Sequence, residues 1–349
     1  MYPAPREEVA YVTCTYRETC IDQPDFLATI DLNPRSPYYC QVIHRLPMPN
    51  LKDELHASGW STGCTCFDNV STRRNKLILP CLISSRIYVV DVGSQCRAPK
   101  ICKMIEPVDV FWKCNKGYLN VPRSLPNGDI LIANVGDPAE EGSVMLQIDV
   151  DTEKGGLTVN KNFLVDFGKE PNGPCLAHEI HFACGGPARP GLSPCFLLGH
   201  EDQQQQTVWW GLDAKASPLP LPLSQVFVGG SILRGGPVTV CRDEELKCQP
   251  EPLVIKCKRV YGGPCKLQLS LDGKRLYVTN SFYSTWDKQF YPNMVREGSV
   301  MLQIDVDTEK GGLTVNKNFL VDFGKEPNGP CLAHEIHFAC GDSTSDILA

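Results

Sequence analysis

The chain has 349 residues, a formal net charge of −6 and 42% hydrophobic residues, which allows a large core in one or two domains or in a single large all-β unit. Its basic residues are not clustered, which excludes an electrostatic footprint for nucleic acid and a polybasic membrane patch, and no apolar run reaches the ~18 residues that a membrane-spanning helix needs. The 18 cysteines are scattered rather than framed and "MYPAPREEVAYV" lacks the apolar stretch of a signal peptide, so a cytosolic chain with reduced thiols is expected.

From the N-terminus onward, short β-branched or aromatic runs bounded by Gly, Pro, Asn and Asp recur, the first being "FLATIDLNP". The best helix candidate is "NLKDELHASG", with Asn50 as cap and Gly59 as stop. Cys64 and Cys66 in "STGCTCFDN" form a C-x-C, without the two-residue spacing of a thioredoxin-type motif, and read as reduced thiols. "NKLILPCLISSRIYVVDVG", "GDILIANVGD" and "SVMLQIDVDTEKGG" continue the strand texture. Residues 187–223 break it with a glutamine run, Trp209 and Trp210, and alternating Pro218, Pro220 and Pro222. With nothing periodic to pack, this segment reads as an irregular linker rather than a polyproline ligand for an SH3 or WW domain. In "LQLSLDGKRLYVTNSFYS", Asp272-Gly273 makes a tight hairpin turn and Arg275 to Thr279 alternates as a half-buried strand. Strand-turn-strand units with so little helix predict an all-β chain, and a β-propeller rather than a sandwich.

Glu141 to Gly185 is identical, residue for residue, to Glu297 to Gly341. Both copies contain "GPCLAHEIHFACG", whose cysteines and histidines (Cys175, His178, His181 and Cys184 in the first) would sit near one face of a helix. Soft sulfur and imidazole ligands suit copper or zinc, yet buried apolar cysteines are the commoner reading of such a spacing. A core residue fitted to one site is rarely the best at another. An exact copy therefore reads as a recent duplication or an assembly error, and not as a second site.

Four stretches resemble the selenium-binding protein family, whose members are identified as methanethiol oxidases. They are "YCQVIHRLPMPNLKDELHASGW" (39–60), "ISSRIYVVDVGSQCRAPK" (83–100), "FVGGSILRGGPV" with "DEELKCQPEPL" (227–253), and "LSLDGKRLYVTNSFYSTWDKQFYP" running on to the C-terminus. The resemblance implies a propeller with N-terminal blades in 1–139 and C-terminal blades in 224–349. Between them lie a misplaced copy of the duplicated segment (140–186) and the insert (187–223), where relatives would continue into further blades. An incomplete propeller is therefore expected, with the first copy lacking the partner strands its twin finds in 265–296.

The resemblance also implies chemistry. Oxidising methanethiol with oxygen and water to formaldehyde, hydrogen sulfide and hydrogen peroxide calls for a redox group, and the chain has no G-x-G-x-x-G fingerprint for a nicotinamide or flavin. Copper suits imidazole and sulfur ligands, and the resemblance makes His44, His56 and His334 the ligand candidates. His56 and His334 should then lie with ring nitrogens within about 4 Å of each other. Cys40 matches the cysteine associated with selenium. Three departures reduce the ligand set: Ala57 stands where the family carries a second histidine, and Asn120 and Arg123, in "NVPR", stand within its His-Thr-Ser-His run. The remaining implications are a small thiol substrate, a cytosolic location with a nuclear pool, and peripheral membrane association. A selenium- or thiol-binding scaffold, serving protein transport within the Golgi, is the alternative to an enzyme.

Overall fold

The computed structural model describes residues 5–62, 74–125, 128–135, 144–151, 156–166, 194–198, 207–212, 221–236, 238 and 248–339. Five antiparallel sheets and one hairpin make up most of it. The first half contributes β1 (Val9–Thr15), β2 (Phe26–Asp31), β3 (Val42–Pro47), β4 (Gly59–Trp60), β5 (Lys76–Pro80), β6 (Ile87–Asp91), β7 (Lys100–Ile105), α1 (Pro107–Cys114), β8 (Leu119–Ser124), β9 (Ile130–Asn134), β10 (Val144–Asp151) and β11 (Gly156–Asp166). The second half contributes β12 (Pro194–Leu198), β13 (Thr207–Leu212), β14 (Leu221–Phe227), β15 (Val254–Ile255), β16 (Lys258–Arg259), β17 (Leu267–Leu269), β18 (Arg275–Thr279), α2 (Ser284–Phe290), α3 (Pro292–Glu297), β19 (Val300–Val306), β20 (Leu313–Val315), β21 (Val321–Asp322) and β22 (Leu332–Phe338).

Strand order identifies the blades. β4 to β7 form one four-stranded sheet, β8 to β11 another, and β17 to β20 a third, with β21 also on β19. The N-terminal sheet runs β22-β1-β2-β3, so the last described strand pairs with the first and joins the two ends of the chain. Period-2 alternation explains how the sheets stack. In β1, Ala10, Val12 and Cys14 enter one core with Phe26, Ala28, Ile30, Tyr277 and Phe319. The intervening Val9 and Tyr11 enter another with Trp60, Leu77, Leu79 and Tyr88. A third core joins Ile78, Ile87 and Val89 to Leu119, Ile130 and Ile132. A fourth joins Leu276, Val278 and Leu302 to Val228, Ile255 and Val260. The cores thus string the sheets into the row β8–β11, β4–β7, N-terminal sheet, β17–β20, then β15–β16 together with the end of β14, whose Val226 packs on the same core. This is an incomplete β-propeller, and the ends of the row are the chain regions that flank the expected loss of central blades.

Three expectations are corrected. Residues 187–223 are not uniformly irregular, because β12, β13 and the first three residues of β14 lie within them, in a three-stranded antiparallel sheet. The β-branched and aromatic run at 207–210 explains the strand β13. The first duplicate does not lack partners: β10 pairs β9 as Met145↔Ala133 to Ile148↔Ile130, just as β19 pairs β18 as Met301↔Thr279 to Ile304↔Leu276. "ILIAN" offers the same alternating backbone partner as "LYVTN", and register follows that alternation. Finally, residues 50–59 are not helical. Lys52 and Glu54 take left-handed φ values of 60° and 55°, and Asp53 is drawn to Arg86 and Tyr88 while Glu54 is drawn to Arg17 and Ser284. Cys64 and Cys66 lie outside the described residues, as do the first copy's Cys175, His178, His181 and Cys184.

Candidate functional site

The inner strands β22, β4, β8 and β17 bring one set of polar side chains together. β22 is a strand and not the helix that the Cys/His spacing suggests, so its cysteine and histidines diverge. Cys331, just before it, joins the apolar core with Cys14, whereas His337 points its Nε2 at the Ser58 carbonyl, 3.0 Å away. His334 turns inward. Its Nδ1 lies 2.7 Å from the Ser281 carbonyl oxygen and 3.5 Å from Cys265 Sγ. Two acceptors do not approach so closely, so Nδ1 carries the proton and Nε2 the lone pair.

His56 comes from the turn before β4, and buried hydrogen bonds hold that turn in place. Asp25 accepts from Leu55 N at 2.7 Å and from Tyr16 N at 2.9 Å. Thr13 Oγ1 donates to the His56 carbonyl at 2.8 Å and accepts from Glu335 N at 2.9 Å, tying His56 to β22. The His56 ring is sandwiched. His334 stacks on one side with centroids 3.6 Å apart and planes at 21°, and Tyr283 on the other at 4.5 Å and 10°. Asn120, buried on β8, donates from Nδ2 to the Tyr283 hydroxyl at 3.2 Å. Burial pushes the Tyr283 phenol up to about 12, so it stays protonated. Lys266 and Glu335, both buried, pair at 3.5 Å. Gly59 lets β4 approach β8 this closely, since a Cβ there would stand 2.5 Å from the Pro122 carbonyl oxygen.

The other sequence candidates lie elsewhere. His44 is on β3, opposite Thr29, at the outer edge of the sheet that starts with His334's strand. Strands lie ~4.8 Å apart, so three strand spacings separate it from β22. Burial, then Arg45, lowers its pKa. Cys40 occupies the β2–β3 turn with φ 63°, half-buried against the core of Tyr277 and Phe319, and burial pushes its thiol up. The structure therefore brings His56 and His334 together and leaves His44 and Cys40 apart. The sequence reading missed Cys265, Tyr283, Lys266 and Glu335. Cys265 is one cysteine among 18, and Tyr283, although within a stretch that resembles the family, has no ligand or catalytic spacing that singles it out.

Two imidazoles are fewer than the three or more nitrogen and sulfur ligands usual in a redox copper centre. Ala57 is buried and offers no ligand, Arg123 is a permanent cation, and Asn120 is engaged with Tyr283. Among the described residues no three His, Cys, Asp or Glu side chains are arranged to hold one metal ion. The stack is also unfavourable, because an ion sits in an imidazole's plane about 2 Å beyond the nitrogen. Rings that lie face to face send their lone pairs side by side and must splay to share one ion. The described residues do not fit copper.

A family model described as 56 kDa selenium-binding protein matches residues 1–143, 137–189 and 210–349. The chain belongs to this family. Among its relatives, the methanethiol oxidase of Xenopus tropicalis is 43% identical over 450 aligned positions, covering 98% of this chain and 95% of its own. The human methanethiol oxidase is 42% identical over 449 positions with the same coverage. These alignments are much longer than the 349 residues available, so the relatives carry long stretches with no counterpart here. A solved selenium-binding protein from Sulfolobus tokodaii superposes with a TM-score of 0.66 at 23% identity, covering 99% of this chain and 96% of its own, and shares the fold.

Proposed function

We propose that this chain acts on methanethiol at the site around His56 and His334. The reaction takes methanethiol, oxygen and water to formaldehyde, hydrogen sulfide and hydrogen peroxide, with the carbon losing two electrons to dioxygen. The observation that carries this reading is the 41–43% identity, over 98% of the chain, to relatives named methanethiol oxidase. The site supplies compatible groups. His334 Nε2, unprotonated while the proton sits on Nδ1, can take the proton of a small thiol. The buried Lys266, ion-paired with Glu335, adds positive charge on the Tyr283 side of the site. A cytosolic location and an association of selenium with Cys40 belong to the same proposal.

One observation favours the second reading, a thiol- or selenium-binding scaffold: among the described residues no three potential ligands are arranged to hold one metal ion. Copper content and peroxide release from methanethiol, measured on the purified chain, separate the two. We expect substoichiometric copper and slow release, both rising when Ala57→His, Asn120→His and Arg123→His are combined. If that variant gains copper and still releases neither peroxide nor hydrogen sulfide, the enzymatic reading fails.

A further inference from the structure

Asp287 lies in the first turn of α2 and is 1% exposed, although it touches none of the rings described above. Its carboxylate folds back onto the residues that precede the helix. Oδ2 accepts from Ser281 Oγ at 2.6 Å and from Phe282 N at 3.0 Å, and Oδ1 lies 3.3 Å from the same N–H. The turn so held, Ser281 to Tyr283, makes the contacts that define the site. The Ser281 carbonyl receives His334 Nδ1–H, the Tyr283 ring carries His56, and the Tyr283 hydroxyl receives Asn120. Glu54 braces the turn from its other side, accepting from Ser284 Oγ at 2.6 Å while Arg17 Nε stands 3.0 Å from its second oxygen.

We propose that Asp287 is the positioning residue of this site, setting through the Ser281–Tyr283 turn both the tautomer of His334 and the seat of the His56 ring. A buried carboxylate is a costly way to anchor a turn, since an ionised group out of water is strongly disfavoured unless its hydrogen bonds are met. Its bonds here go to two successive residues, the one to Ser281 Oγ being short at 2.6 Å, so the turn has little freedom to swing. Removing the carboxylate frees the Ser281 carbonyl to move and loosens its hold on the proton at His334 Nδ1. The inference rests on the proposed function for its catalytic consequence, and on geometry alone for the tautomer.

The test uses the full chain labelled with 15N-histidine, as wild type, Asp287→Asn, Asp287→Ala and Ser281→Ala. Asparagine keeps an acceptor oxygen for both donors, so wild type and Asp287→Asn should show His334 in the single Nδ1–H tautomer. Asp287→Ala should show mixed tautomers while still unfolding cooperatively. Ser281→Ala loses the shortest bond but keeps the carbonyl that faces His334, and should show a smaller degree of mixing. For peroxide release, Asp287→Ala should lower kcat by about 10²-fold, the usual cost of misplacing a group by about 1 Å, with little change in KM. An unchanged His334 tautomer in folded Asp287→Ala overturns the proposal, and if that variant does not fold, an unchanged tautomer in Ser281→Ala does so. A wild-type chain that releases no peroxide sinks the methanethiol reading alone, because the tautomer comparison needs no turnover.

Discussion

Asp287 also governs how stability depends on pH. Burial, and then the nearby Glu54 charge, raise its pKa from 3.8 to about 7. In that window the folded chain holds a proton that the unfolded chain has released, so the free energy of unfolding falls as pH climbs from about 4 to about 7 and levels off above. Asp287→Asn cannot ionise, and thermal melts from pH 4 to 8 should show a shallower decline, with the variant gaining on the wild type toward pH 8. A second residue-scale prediction concerns Lys256 and Cys257, the two-residue loop between β15 and β16, with φ of 48° and 65°. Both are left-handed, as this hairpin turn requires, and glycine is the favoured second residue. Cys257→Gly should raise the urea midpoint by an amount equivalent to about 1 kcal/mol. At this scale the sequence was partly legible. His56 and His334 stood out because rare histidines sat in resembling motifs. Asp287 did not, since a carboxylate in "STWDKQF" looks like any helix-start acid until its partners are seen.

Elements were legible where alternation decided them and illegible where side-chain partners did. β18 and its turn at Gly273 form where "LDGKRLYVT" places them, with Gly273 at φ 71°, but all five β18 residues are buried rather than the alternate half that a half-buried strand would bury. The stretch 50–59 carries helix signals, yet its acids bond to Arg17, Arg86, Tyr88 and Ser284, partners distant in sequence that no local pattern reports. The same kind of partner supports β18. Arg275 binds Glu7 through Nε at 2.5 Å and Nη2 at 2.9 Å, and Tyr277 donates to Glu7 at 2.6 Å. Arg275→Ala leaves Glu7 buried without its cation and should cost about 3–5 kcal/mol in chemical denaturation. Thiols divide by element as well. Cys14, Cys81, Cys265 and Cys331 are buried in strands and loops of the cores, while Cys20, Cys96, Cys102, Cys248 and Cys257 are exposed. Brief alkylation of the native chain should modify the second group and spare the first, a difference that mass spectrometry reads directly.

At the scale of the whole molecule, the chain ends are joined by β22 on β1, from Ala10↔Phe338 to Thr15↔Leu332. Removing residues 332–349 strips that strand from the core of Ala10, Val12 and Cys14, and should abolish the cooperative melt seen by circular dichroism. The propeller class could be read from recurring strand-turn-strand units. The pairing of the first duplicate could not, because an identical segment says nothing about the neighbour it will meet. That pairing carries a consequence for how the chain reaches its native state. β10 and β19 have the same residues and dock in the same register on β9 and β18, and β11 repeats on β10 the pairings that β20 and β21 make on β19. A collapsing chain therefore meets two acceptors and two interchangeable donors, and nothing in the donors' sequence tells native from exchanged docking. Natural chains avoid such degeneracy, since near-equal alternatives roughen the folding landscape. Refolding after a denaturant jump should partition into a fast productive fraction and a slow one that must first release an exchanged hairpin, and substitutions that make one copy unlike the other should merge the two.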